Sequence, residues 1–249
     1  TLIMVVTADD KIKSSLMRDG SHLKYTRSYA GAGAGLMAGG FMLGVMGALI
    51  GAMLFFMDMM FQGIVVVAIS CVIGAIMVVP GVLMKAKRLN AYMDYYVERS
   101  GYSREMLEEF DREFANGTVM LFSPGRTLST ENKRDAAVLT DHWFKLPYML
   151  PLKYSGLHRV EDMAAVFYEA KPYINGQKYD PLLFTVNSSG EGYYCKSPNK
   201  EFAESLVSEI AKRNPGVITV RKITVDGKNY DCVTQPAEVA ALFRAAREG

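Results

Sequence analysis

Few side chains in this 249-residue sequence are of the kind that make and break bonds. There are three histidines, His22, His142 and His158, and three cysteines, Cys71, Cys195 and Cys232, which lie far apart in no CxxC or Cys/His spacing. That spacing supports neither a zinc site nor a disulfide framework, and it leaves reduced thiols. No GxSxG, HExxH or GxxxxGK[ST] motif occurs, and Gly31-Ala32-Gly33-Ala34-Gly35 opens an apolar run instead of following a strand, so it is no dinucleotide fingerprint. Asp141-His142 places an acid beside a histidine, yet neighbours on a strand point to opposite faces, so the two do not form one acid/base unit. The expectation is a non-enzymatic protein with no catalytic residue, metal or cofactor.

Recognition chemistry remains. Arg126, Lys133 and Arg134 fall in the loop from Ser123 to Asp135, and guanidinium groups there can hold phosphate oxygens in bidentate fashion. Glu131 and Asp135 dilute that charge, and a plain solvated loop is the competing reading. Trp143, Phe144 and Tyr148 read either as a partner anchor or as core. A net charge of +2, with the cations dispersed or gathered beside apolar runs, excludes a nucleic-acid binder of the usual basic kind.

The elements that must carry these residues are dominated by two apolar runs. Ala30 to Met57 and Met59 to Met84 contain no charged residue, and only Asp58 separates them. Each exceeds the roughly 20 residues needed to cross a hydrocarbon core of about 30 Å. Residues 30–84 therefore read as a two-helix transmembrane hairpin, about 35–57 and 61–84, with a lipid bilayer as its partner. The alternative is a buried hairpin of a soluble protein, though such helices seldom run this long without a charge. Arg27 before the hairpin and Lys85, Lys87 and Arg88 after it are expected to anchor at the inner leaflet, which puts both termini in the cytoplasm. Tyr25, Tyr29, Tyr92, Tyr95 and Tyr96 sit either at the same headgroup level or against a neighbouring helix.

Small residues mark the packing faces. Gly33, Gly40, Gly44, Gly47 and Gly51 share one side of the first helix, as Gly63, Ser70, Gly74 and Gly81 do in the second, and these stripes predict the hairpin seam. Gly31, Gly35 and Gly39 form an offset row that could face another copy in a homo-oligomer. A Gly-packed oligomeric transporter or pore is the alternative function, but with Asp58 and Gln62 assigned to the turn the spans offer only Ser70 and Cys71 as polar groups.

Around the hairpin the sequence divides into a cytoplasmic N-terminal segment (1–29), a helical linker (85–116), a cytoplasmic domain (117–215) and a C-terminal hairpin-helix appendage (216–249). Leu2 to Val6 predicts a strand added to the later domain, or else a free end. Pro80 should kink the second span or leave one backbone carbonyl for a neighbour to satisfy. Ser103 reads as the N-cap of a helix whose apolar face is Met106, Leu107, Phe110 and Phe114. From Thr118 the period becomes that of strands, at Val119–Phe122, Ala137–Leu139, Trp143–Leu146, Ala164–Tyr168, Leu182–Val186 and Tyr193–Cys195. A helix follows from Asn199 to Arg213, and Val225-Asp226-Gly227-Lys228 signals a late hairpin. The fold class is a membrane α-helical hairpin plus an α+β soluble domain.

Val138-Leu139-Thr140-Asp141 before an aromatic strand, Arg159-Val160-Glu161-Asp162-Met163 leading into another, a Gly-containing hairpin and a terminal helix together resemble the bacterial pleckstrin-homology-like (PH-like) domains, which often follow a two-helix membrane hairpin. The resemblance covers about Thr118 to Arg213. It implies a seven-stranded, bent antiparallel sheet or partial barrel with a C-terminal helix, in the bacterial inner or plasma membrane, with no catalytic residues to transfer. The function expected is an adaptor or sensor that binds a protein or anionic lipid at the inner leaflet.

Overall fold

The computed structural model describes residues 4–28, 32–123, 136–147, 155–174, 176–196 and 199–248, with the side chains of 32–34 excepted. In chain order, β1 (Met4–Thr7) and α1 (Asp10–Ser15) precede α2 (His22–Ser28), the long helices α3 (Ala32–Phe56) and α4 (Met60–Asn90), α5 (Tyr92–Ser100) and α6 (Arg104–Asn116). The strands β2 (Met120–Ser123), β3 (Ala137–Leu139), β4 (Trp143–Lys145), β5 (Leu157–Arg159) and β6 (Met163–Glu169) follow. After them come β7 (Tyr173–Ile174), β8 (Gln177–Lys178), β9 (Leu182–Asn187), β10 (Gly192–Lys196), α7 (Lys200–Arg213), β11 (Lys222–Val225), β12 (Lys228–Asp231) and α8 (Pro236–Glu248). The chain forms two units, Ser21–Tyr95 and Thr1–Gly20 with Tyr96–Gly249.

In the first unit α3 and α4 are long and apolar enough to cross a membrane, and only 17% and 11% of the most apolar window in each is buried. A core helix of a soluble protein hides its apolar side chains from water, whereas here Phe41, Leu49, Met53, Phe61 and Ile76 are exposed. The turn places Asp58 in the left-handed region (φ 57°), which a short polar side chain tolerates. The helix assignment of α4 runs on through Pro80 without a break.

The second unit is sheet-rich. Five strands form an antiparallel meander in the order β1-β2-β3-β4-β5, and three form a sheet in the order β10-β9-β6. The opening strand expected from the first residues does add to the later sheet, as β1 pairs with β2 in the register Val5 with Phe122. α1, capped by the Asp9 carboxylate at Ile12 N–H (2.7 Å), is tied to the end of α6 by Lys13 Nζ, which donates to the Gly117 carbonyl at 2.6 Å. Strand alternation splits β4: Phe144 joins the inner core, while Trp143 faces Phe110 of α6 at 6.0 Å between ring centroids. α6 is capped by Ser103, and its Leu107, Phe110 and Phe114 are fully buried, so this part of the expected linker belongs to the sheet unit.

α7 fills the centre. Its Phe202, Leu206 and Ile210 pack in one core with Phe122 and Phe144 of the larger sheet and Val166 and Leu183 of the smaller. The other face of the smaller sheet is covered by Val239, Ala240 and Phe243 of α8. The last segment is thus tied into the unit: Ile218 N–H donates to the Ala164 carbonyl (2.9 Å) and Val166 N–H to the Ile218 carbonyl (2.8 Å), while Arg221 bonds both Glu169 and Asp231. Asp226 (φ 50°) and Gly227 (φ 74°) make the tight turn between β11 and β12.

Candidate functional site

At the polar end of the hairpin, α2 packs on α4 through buried Leu23 and Tyr25. Lys24 Nζ lies 5.9 Å from the centre of the Tyr92 ring, and the Arg27 guanidinium lies 3.6 Å from that of Tyr95. Tyr92 and Tyr95 therefore act as platforms for cations on a neighbouring helix, each contact worth about 0.5–1 kcal/mol when exposed. Lys85 and Arg88, three residues apart on α4, share a face one to two turns before Tyr92. Lys85, Lys87 and Arg88 have no acid partner among the described residues, and Arg88 Nε is buried with no hydrogen bond. Three of the expected anchor residues thus gather at one end of α4, and Arg27 stands over Tyr95 on α5.

The seam of the hairpin is made of glycine backbone. A Cβ on Gly40 would stand 2.7 Å from the Gly74 carbonyl oxygen, and one on Gly74 would stand 2.9 Å from that of Gly40. Gly51 and Gly63 oppose each other in the same way, and Gly47 meets Ser70. Gly44 departs from the expectation: a Cβ there meets nothing within 4 Å, although its backbone nitrogen would lie 3.9 Å from a Cβ on Gly74. Gly35, of the offset row, is likewise open, whereas Gly39 meets Met77.

The sheet unit holds a polar cluster that sequence reasoning missed. Gly101 (φ 76°) turns the chain so that Tyr102 reaches β5. Its hydroxyl accepts from Arg159 N–H at 3.0 Å and donates to Asp162 Oδ2 at 3.3 Å, and its ring sits edge-on to Trp143 at 5.0 Å. Burial holds the Tyr102 phenol above its ordinary value and raises the Asp162 carboxyl as well. Asn214, at the end of α7, donates to the carbonyls of Val160 (2.9 Å) and Met163 (3.0 Å), closing the turn that carries Asp162. His158 is buried between Phe144 and Tyr193, with ring centroids 5.2 and 5.7 Å away, and burial pushes it down to about 4, so it is neutral. Burial also pushes the Lys145 amine down to about 8.

These groups do not assemble a reaction centre. The polar cavity lined by Tyr102, Ser155, His158, Asn187 and Tyr193 holds about 20 Å³, room for one water and not for a substrate. His142 turns to Glu113 of α6, whose Oε1 accepts from His142 N–H at 2.8 Å. Among the described residues no three His, Cys, Asp or Glu side chains are grouped to hold a metal. Trp143 and Phe144 are wholly buried, so they are core and not a partner anchor. Arg126, Lys133, Arg134 and Tyr148 lie outside the described residues. No protein-family model matches the chain, and no curated protein or solved structure matches it significantly.

Proposed function

We propose that this chain is a non-enzymatic integral membrane protein whose sheet-rich unit is a cytoplasmic PH-like adaptor or sensor, held at the inner leaflet by anionic lipid headgroups. The observation that carries this reading is the set Lys85, Lys87 and Arg88, cations without acid partners among the described residues, at the end of a membrane-length helix and beside Lys24 and Arg27 seated on tyrosines. Cations so placed gain about 1 kcal/mol each near an anionic surface. They also favour a cytoplasmic location for that end, with the Asp58 turn on the far side. The PH-like reading is supported by the order of elements, antiparallel strands β2 to β5 in one sheet and β6, β9 and β10 in the other, followed by α7; β1, which joins the first sheet as an eighth strand, and the segment after α7 are additions to the pattern that the resemblance implies. The absence of a catalytic motif in the sequence supports the non-enzymatic part.

The test is native mass spectrometry of the full chain released from nanodiscs of mixed phosphatidylglycerol and phosphatidylcholine. Retention of phosphatidylglycerol over phosphatidylcholine is expected, falling to parity in the double variant Lys85→Glu, Arg88→Glu. Equal retention of both lipids by the unaltered protein would refute the anchor.

A further inference from the structure

The sheet edges of the second unit are treated unequally. At β5, the outward N–H of Arg159 is capped by the Tyr102 hydroxyl and that of Leu157 by Ser155 Oγ (3.2 Å). At β6, the Ile218 segment takes the edge. Among the described residues β1 has no such cover. Ala8 N–H donates to the Val119 carbonyl at 2.8 Å, which sets Met4, Val6 and Ala8 as the residues bonded to β2 and turns the main-chain groups of Val5 and Thr7 outward. Neither residue has a hydrogen-bond partner for those groups among the described residues. An open edge of this kind is a template for another strand.

A cleft of about 400 Å³ runs beside that edge, between β1, β2 and α7. Its floor is Val5, Met120 and Phe122; its wall is Glu204, Ser205, Ser208 and Glu209. Glu209 is bound by Lys212 and by Arg213 (2.9 Å), but among the described residues Glu204 has only the exposed Lys200 at 3.6 Å, a pair of little strength.

We propose that β1 and α7 form an acceptor site for an extended segment of a partner protein, which adds as a strand to β1, seats an apolar side chain over Val5, Met120 and Phe122, and places a lysine or arginine near Glu204. The unpaired main chain calls for an extended backbone, the floor for an apolar residue and the wall for a cation. This rests on the adaptor reading and names the class of partner.

The probe is the synthetic peptide Lys-Val-Thr-Val-Thr-Val-Lys, fluorescently labelled and titrated by anisotropy against the full chain in detergent. Saturable binding is expected, with loss when alternate amides of the peptide are N-methylated, an arm that leaves the protein unaltered. Val5 donates nothing to β2, so Val5→Pro removes an outward N–H while sparing the ladder and should weaken binding about tenfold. Glu204→Gln should weaken it about threefold. Tyr194→Pro, at the outward position of the rival edge β10, should change nothing. The proposal is overturned if the peptide does not bind, if N-methylation is without effect, or if Tyr194→Pro and not Val5→Pro abolishes binding. Lipid retention of the same protein variants, measured from nanodiscs as above, keeps a failure here separate from a failure of the anchor.

Discussion

In the hairpin the innermost contacts are between glycines, Gly40 against Gly74 and Gly51 against Gly63, whereas in the sheet unit the innermost atoms belong to Trp143, Phe144 and Phe202. The hairpin turns its large apolar side chains outward and brings backbone to backbone; the sheet unit does the reverse. The difference matches the surroundings proposed for each, lipid for the hairpin and water for the sheet unit. Lipid tails offer no drive to hide a leucine, so helices there associate through close van der Waals approach. In water the same side chains gain roughly 1.5–3 kcal/mol each by burial, so the sheets close over them. The same residue types therefore carry opposite instructions in the two units.

Substitution can break this comparison. Gly40→Leu would force the helices apart at a point where even a Cβ meets the opposing carbonyl, and a loss of about 3 kcal/mol or more is expected, read as a lowered thermal midpoint in detergent. Gly44→Ala, one turn away in open space, should be neutral or stabilise by about 0.5–1 kcal/mol through helix propensity. Equal damage from the two would show that the seam is not set by backbone approach.

The sheet unit is instead sensitive to charge placed in its interior. Lys145 in the folded chain titrates near 8, below its ordinary 10.5, so the folded state bears the cost of a buried cation at every pH below 8 and sheds it between 8 and 10.5. Lys145→Met should raise stability at neutral pH by about 3 kcal/mol, with the gain shrinking as pH rises through that window. His158 behaves in the same sense lower down. Its folded value near 4 lies under the ordinary 6.5, so as pH falls from 6.5 to 4 the unfolded chain takes a proton that the folded chain refuses, and about 3 kcal/mol is lost. Chemical denaturation across pH 4–7 should show that slope in the native chain and a flatter one in His158→Phe.

A smaller effect than those of Lys145 and His158 sharpens the edge argument. Tyr102→Phe keeps the ring against Trp143 and removes only the hydroxyl that caps Arg159 N–H and bonds Asp162. A cost of about 1–2 kcal/mol is expected by urea titration. No change at all would mean that water replaces the hydroxyl at β5, and that the capped and open edges differ less than their hydrogen bonds indicate.

Much of the fold was legible where the cause is local. The two spans follow from uninterrupted apolar length, the Ser103 and Asn199 caps from side chains that accept from the N–H groups of Met106 and Phe202, and the last tight turn from Asp226-Gly227. β5 was missed because Leu157-His158-Arg159 shows no alternation of its own; it is a strand because β4 lies beside it. The cations that flank the two helices were legible as a charge asymmetry around the apolar runs. Their tyrosine platforms were left open between two readings, since sequence spacing does not say which helix faces which.

The sequence by itself determined the length and polarity of each element, because those depend on the solvent a segment can tolerate and on hydrogen bonds within a few residues. Tertiary structure alone decided that the partner of β1 is β2, that Tyr102 caps one sheet edge while Val5 and Thr7 are left open among the described residues, and that a Cβ on Gly44 would meet open space where one on Gly40 would meet backbone. Each of these joins residues distant in sequence, and such contacts form only after the chain has closed long loops, so their identity is a property of the packed whole.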